Sequence, residues 1–247
     1  MKEVHIVGIG TSGDHSIAGP LTVCAASIPM GKWHLFLEFG YTKPRRVHDY
    51  KYCSPEPIRR NDYPFPNERV DKAFQKIQEM DSGLITWSIS YCDVYEIEKI
   101  GLKAAREKAI RSAIYRLCLT NNWDVLQDIE IVTSGLTQLS MLPSAIPQVF
   151  IQDARLYVMP SCIAFLIAQS CRYRIMLEAH KKYPHYDFKK NLGVATVKHL
   201  KGLVKFGPIV NIHRLKPAVR AVKGYIQNSG IKTPIWLKKL QEKKIKL

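Results

Sequence analysis

The chain has 247 residues, with 37 lysines and arginines against 21 aspartates and glutamates, a formal net charge of +16. An apolar share of 46%, with 14 glycines and 14 prolines, excludes disorder, collagen and coiled coil as the main description and suits one large domain or a domain with an appendage. The charge is uneven: residues 181–247 hold 17 basic side chains and only Asp187 and Glu242 as acids, whereas the first 180 residues hold 20 basic and 19 acidic.

A basic block of this strength is the footprint expected for a polyanion partner, because each lysine or arginine beside a phosphate releases condensed counterions. An acidic protein, a membrane surface or plain solubility are the other readings. The longest unbroken apolar run, Cys162 to Ala168, is far short of the roughly 20 residues a membrane-crossing helix needs. The opening MKEVHIVGIG has no signal-peptide pattern, so a cytoplasmic protein with no membrane partner is expected. The six cysteines show no CxxC and no histidine at zinc-ligand spacing, so they read as reduced, buried thiols.

In chain order, His5 to Ile9, Leu21 to Ile28 and His34 to Phe39 read as three strands. A small-residue loop, Gly10 to Ser16, follows the first strand, and Pro29 to Lys32 supplies the later turn. Residues 41–67 have no clear period and read as an irregular connection. Asn67 to Met80 has helical spacing, with Val70, Phe74 and Ile77 toward a core. Leu84 to Tyr91 reads as a strand, and Glu96 to Leu119 as one long helix. Ile129 to Val132 and Val149 to Ile151 are short strands, and Ser161 to Lys182 is a second long helix stopped at Pro184. Thr196 to Phe206 reads as an amphipathic helix with Val197, Leu200, Leu203 and Val204 inward and Lys198, Lys201 and Lys205 outward. Trp236 to Ile245 reads as a last basic helix or a frayed tail.

Two segments carry a resemblance to ribonuclease HII. Tyr183-Pro184-His185-Tyr186-Asp187-Phe188-Lys189-Lys190, then Gly193, Thr196, His199-Leu200, Phe206-Gly207-Pro208 and Ile212-His213-Arg214, is similar to the family's YPxYxFxKHKGYGTxxHxxxLxxxGPxxxHR. Val7-Gly8-Ile9 through Ala18-Gly19-Pro20-Leu21 resembles its first strand and GVDEAGRGPLAGPV loop. Weaker support comes from the 96–119 helix and from Ala164 to Met176, which resembles the ASIxAKVxRDRxM helix. The resemblance implies an α/β, ribonuclease H-like mixed five-stranded sheet with flanking helices over residues 1–220, and a basic helical extension over 221–247.

The family's chemistry is metal-assisted phosphodiester hydrolysis, with two divalent ions held by four carboxylates. Carried over residue by residue, those carboxylates fall on Gly10, Thr11, Ser134 and Tyr173, none of them acidic. The family's Gly-Arg-Gly falls on Gly13-Asp14-His15, which places an acid where its arginine stands. The junction-sensing tyrosine falls on Val194. Asp14 lies in the matching loop, but Glu130 is four residues from Ser134, about 13 Å along a strand, too far to replace a ligand held near 2.1 Å.

The expectation is therefore a non-enzyme with no catalytic residue, no metal and no cofactor, which binds nucleic acid. Its binding residues are expected to be Lys43, Lys189, Lys190, Thr196, Lys198, His199, Lys201 and Arg214, since flexible point charges suit phosphates. A packing role for His213-Arg214 stands beside that reading. One alternative is an active, Mg- or Mn-dependent endoribonuclease that cuts RNA in RNA/DNA hybrids with relocated acids such as Asp14. Another is a subunit of a nucleoprotein or virus-associated assembly, with protein partners docked on the extension.

Overall fold

The computed structural model describes residues 4–39, 67–80, 83–134, 139–156 and 158–242. These form two compact units: the first draws on the described residues within 4–12, 22–91 and 106–171, the second on 13–21, 92–105 and 172–242.

The first unit holds a five-stranded sheet built from β1 (His5–Ser12), β2 (Leu21–Ser27), β3 (Thr86–Cys92), β4 (Ile129–Thr133) and β5 (Gln148–Phe150), in the order β3-β2-β1-β4-β5. β1 is antiparallel to β2, with Gly10 opposite Cys24, and parallel to β4, with Gly8 opposite Val132; β4 and β5 are also parallel. The small and β-branched residues of β2 are buried on both faces, as a central strand requires. Helix α1 (Asn67–Glu79) buries Val70, Phe74 and Ile77 as their spacing predicts, and Phe74 meets Trp87 edge-on at 5.5 Å. These residues share a core with Cys24, Ile163 and Ile167, the last two from helix α4 (Met159–Lys182). The Ser170 hydroxyl donates to Asp71 at 2.7 Å, and the Thr22 hydroxyl to the Ala168 carbonyl at 2.8 Å.

Three readings of local structure are corrected. The segment expected as a third strand, His34 to Phe39, belongs to a 3₁₀ helix over Met30–Phe39. The Lys32 amide donates to the Pro29 carbonyl at 2.8 Å and the Trp33 indole to Ile28 at 2.9 Å, so the chain winds where an apolar run alone suggested extension. The single helix expected over 96–119 is two, α2 (Val94–Ile100) and α3 (Leu102–Asn121), divided at Gly101, whose φ of 83° only glycine adopts without strain. Asp93 caps α2, its carboxylate accepting the Glu96 amide at 2.7 Å. Val197, read as inward, is 59% exposed.

The second unit contains α2, the later part of α4, the short α5 (Phe188–Asn191), α6 (Val197–Phe206), α7 (Leu215–Ser229) and α8 (Ile235–Glu242). Its core joins Ile17, Met176, Tyr186, Phe188, Leu203, Val222 and Leu237. Helix α7 runs through residue 220, and Trp236 of α8 donates its indole proton to the Leu203 carbonyl at 2.9 Å. The described part of the 221–247 stretch thus packs into the same core as residues before it. Among the described residues, Cys24, Cys92, Cys118, Cys162 and Cys171 form no disulfide, and no helix is long and apolar enough to cross a membrane.

Candidate functional site

Gly10, Thr11 and Ser134 lie in the first unit and Tyr173 in the second. The pairing of β1 with β4 ends at Gly8 opposite Val132; Gly10 stands two residues farther along β1, and Ser134 lies just past the end of β4. Ser134 is exposed and Tyr173 buried. On β1, Gly8 and Gly10 project toward α4 and let it approach backbone to backbone. A Cβ on Gly8 would stand 2.1 Å from the Ser161 nitrogen, and one on Gly10 2.0 Å from that of Phe165. No side chain, a carboxylate included, fits at position 10 unless α4 moves. Glu130 sits opposite Ile6, at the other end of the β1–β4 pairing.

The loop after β1 is held by two buried arginines of the same second unit. Arg172 donates to the Ala18 carbonyl at 2.8 Å, to Leu192 at 2.7 Å and to Pro20. Arg214 donates to Gly13 at 2.7 Å and twice to Gly19, at 3.1 and 2.9 Å. Both are about 1% exposed. Burial and the neighbouring Arg214 pull Arg172 down to about 9, and burial pulls Arg214 down to about 10; the Asp14 carboxylate opposes both shifts. Asp14 therefore lies within electrostatic reach of two desolvated guanidinium groups.

A second buried polar chain lies beside it. The Ile209 amide donates to His213 Nδ1 at 2.9 Å, so the His213 proton sits on Nε2 and is given to His199 Nε2 at 3.0 Å. The remaining His199 proton, on Nδ1, goes to the Val194 carbonyl at 2.8 Å. One tautomer of each ring satisfies every contact. Burial, with His199 adding, pushes His213 down to about 3, and burial lowers His199 as well. Both rings are neutral, packed against Tyr186 and Phe188.

Of the residues expected to meet nucleic acid, His199 and Arg214 are fully committed to these internal bonds, so neither presents a charge at the surface. The Thr196 hydroxyl accepts the His199 amide at 3.4 Å and caps α6. Lys198, 64% exposed, reaches Asp187 at 3.3 Å. Lys190 and Lys201 are exposed and Lys189 half-buried. Lys43 lies outside the described residues. Sequence reasoning missed Arg172 as an anchor, although it sits in the segment matched to the ASIxAKVxRDRxM helix. It also missed a cavity of about 590 Å³ in the second unit, lined by Asp14, His15, Ile97, Glu98, Leu215 and Lys216.

Comparison with known proteins fits this arrangement. No family model matches the chain. Ribonuclease HII of Chlamydia muridarum is 29% identical over 205 residues, spanning 83% of this chain and 78% of that protein. Ribonuclease HII of Caldanaerobacter subterraneus subsp. tengcongensis is 26% identical over 219 residues, 89% of this chain and 76% of that one. Among solved structures, the ribonuclease H2 from Pyrococcus horikoshii OT3 superposes with a TM-score of 0.60 at 14% identity, covering 91% of this chain and 100% of its own. The chain is similar to ribonuclease HII over most of its length. Its mixed five-stranded sheet with flanking helices is that of the ribonuclease H-like neighbours. An RNase H-like, nucleic-acid-related function follows.

The comparisons correct two expectations about this ribonuclease HII-like chain. It was expected not to be an enzyme, but the relatives that match it carry the name of an enzyme family. It was expected to need no metal, but that family is metal-dependent and one solved neighbour, Bst-RNase HIII (TM-score 0.62, 11% identity, covering 90% of this chain and 71% of that one), is a complex with Mn²⁺. Of the four carried-over positions, Gly10 has no room for a ligand side chain beside the Phe165 backbone. No catalytic step through a metal is therefore assigned to them.

Proposed function

We propose that the chain acts on duplexes that contain RNA and cuts the RNA strand in a divalent-metal-dependent reaction, the activity its relatives are named for. The observation that carries this reading is the extent of the likeness: ribonuclease HII sequences align with between 82% and 92% of this chain. The basic excess of residues 181–247 supports the binding half, since lysines on flexible stems read phosphates without reading bases. Lys190, Lys198 and Lys201 are the side chains proposed to meet the backbone, with Lys43 and Lys189 beside them. Weak base selectivity and a steep loss of affinity with salt follow from contacts of this kind. The cytoplasm is the proposed compartment, and a nucleoprotein assembly a proposed setting.

The test mixes the purified chain, made in cells lacking their own type 2 ribonuclease H, with an end-labelled DNA duplex that holds one ribonucleotide and with a full RNA/DNA hybrid. With Mg²⁺ or Mn²⁺ a cut in the RNA-containing strand is expected, and EDTA should abolish it. Binding without a cut under either ion overturns the cleavage half; failure to bind either substrate at low salt overturns the whole reading.

A further inference from the structure

Helix α3 has a buried face, formed by Ala109, Ile110, Ala113, Ile114 and Leu117, and an opposite face of unusual composition. Between residues 106 and 121 the exposed charged side chains, Arg106, Lys108, Arg111 and Arg116, are all basic. The one acid in that stretch, Glu107, is 7% exposed and accepts the Ser140 hydroxyl at 2.6 Å. Lys108, Arg111, Tyr115 and Leu119 follow one another at intervals of three or four residues, so they form one line along the outside of the helix.

Two members of that line are apolar and point outward. Leu119 is 80% exposed and Tyr115 38%, with the Arg111 guanidinium 5.7 Å from the Tyr115 ring centre. Tyr91, 53% exposed on β3, stands near Arg116, which donates to the Ile89 carbonyl of the same strand at 3.0 Å. A single exposed leucine is ordinary. A leucine one turn from an exposed tyrosine, with arginines alongside, has the composition of the anchors that dominate protein interfaces.

We propose that the Lys108–Arg111–Tyr115–Leu119 line of α3 docks an acidic amphipathic helix of another protein. The partner's apolar side lies over Tyr115 and Leu119, and its carboxylates face Arg111 and Arg116. Charge selects the occupant. A second copy of this chain, at +16 overall and basic on this face, would be repelled. A phosphate backbone would satisfy the arginines but leave Leu119 in water. The surface is independent of the nuclease reading and stands or falls without it.

Fluorescence anisotropy with a labelled 21-residue synthetic peptide, leucine at heptad a and d positions and glutamate elsewhere, tests the proposal on the full-length chain. A dissociation constant on the order of 10–100 µM is expected, with Leu119→Ala and Tyr115→Ala each weakening it about tenfold and Arg111→Ala a few-fold. All three side chains are exposed, so unchanged circular dichroism and melting temperature show that the fold is intact. No binding, or binding insensitive to Leu119→Ala and Tyr115→Ala, overturns the proposal. Equal binding of polyglutamate overturns it in favour of bare charge attraction. Displacement of the peptide by an RNA/DNA hybrid whose own affinity falls in Arg111→Ala but not in Leu119→Ala makes the face a polyanion surface instead.

Discussion

The contact of β1 with α4 in the first unit and the loop after β1 in the second are joined by the chain at Gly13, yet they are held by opposite means. At Gly8 and Gly10 there are no side chains at all, and helix backbone lies directly against strand backbone. In the loop, large polar side chains, Arg172 and Arg214, fill the interior and bond the carbonyls of residues 13, 18, 19, 20 and 192. The first arrangement depends on shape and tolerates no added atom; the second depends on hydrogen bonds and tolerates no lost one. In the second region the chain is fixed by buried donors, whereas in the first a side chain at Gly8 or Gly10 would meet the backbone of α4.

Restoring an acid at the crowded contact should produce the largest effect. Gly10→Asp drives a side chain into the Phe165 backbone, so a loss above about 5 kcal/mol or failure to fold is expected, read by denaturant unfolding of soluble protein. Recovery of a well-folded Gly10→Asp protein with raised Mn²⁺-dependent cleavage would show that α4 yields and that the two regions differ less than described. Arg214→Met tests the other side. It leaves the Gly13 and Gly19 carbonyls buried without a donor, so a loss of about 3–5 kcal/mol is expected by the same assay.

The histidine pair sharpens the contrast through pH. Burial holds His213 down to about 3 in the folded chain, against about 6.5 when unfolded. The unfolded chain then binds the extra proton first. The stability this pair contributes is complete above pH 6.5 and falls as pH drops toward 3, by up to about 1.4 kcal/mol for each unit. Melting temperatures measured from pH 7 to 4 should decline more steeply than in His213→Asn; parallel declines would remove the pair from the account. Trp236→Phe, which loses the bond to Leu203, should cost about 1 kcal/mol, and Thr196→Ala, which loses a long cap bond, about 0.5 kcal/mol. Both are read as shifts of the urea midpoint.

Much of the sheet was legible because its pattern is local. Val70, Phe74 and Ile77 reveal the buried face of α1 by spacing alone, and Leu21 to Ile28 reads as a strand from its small and β-branched residues, one residue longer than the strand observed. The 3₁₀ helix at Met30–Phe39 was not legible, because six mostly apolar residues suit either conformation and the Trp33 bond that winds them lies outside any simple period. Helix α7 was missed for a related reason: Pro217 and Gly224 sit inside it, one tolerable in the first turn and the other facing open space. At the site, the chain pattern located His199, His213 and Arg214, but their chemistry did not show. A basic residue in a basic stretch looks like a surface charge, and only the carbonyls gathered around Arg214 reveal an inward role.

The Gly13–Arg214 bond links residues 201 positions apart. During synthesis the loop after β1 leaves the ribosome well before its anchors, Arg172 and then Arg214. That loop must wait, unclosed, until both have emerged, so nascent chains stalled before residue 214 should expose it to protease while chains extended well beyond that residue protect it.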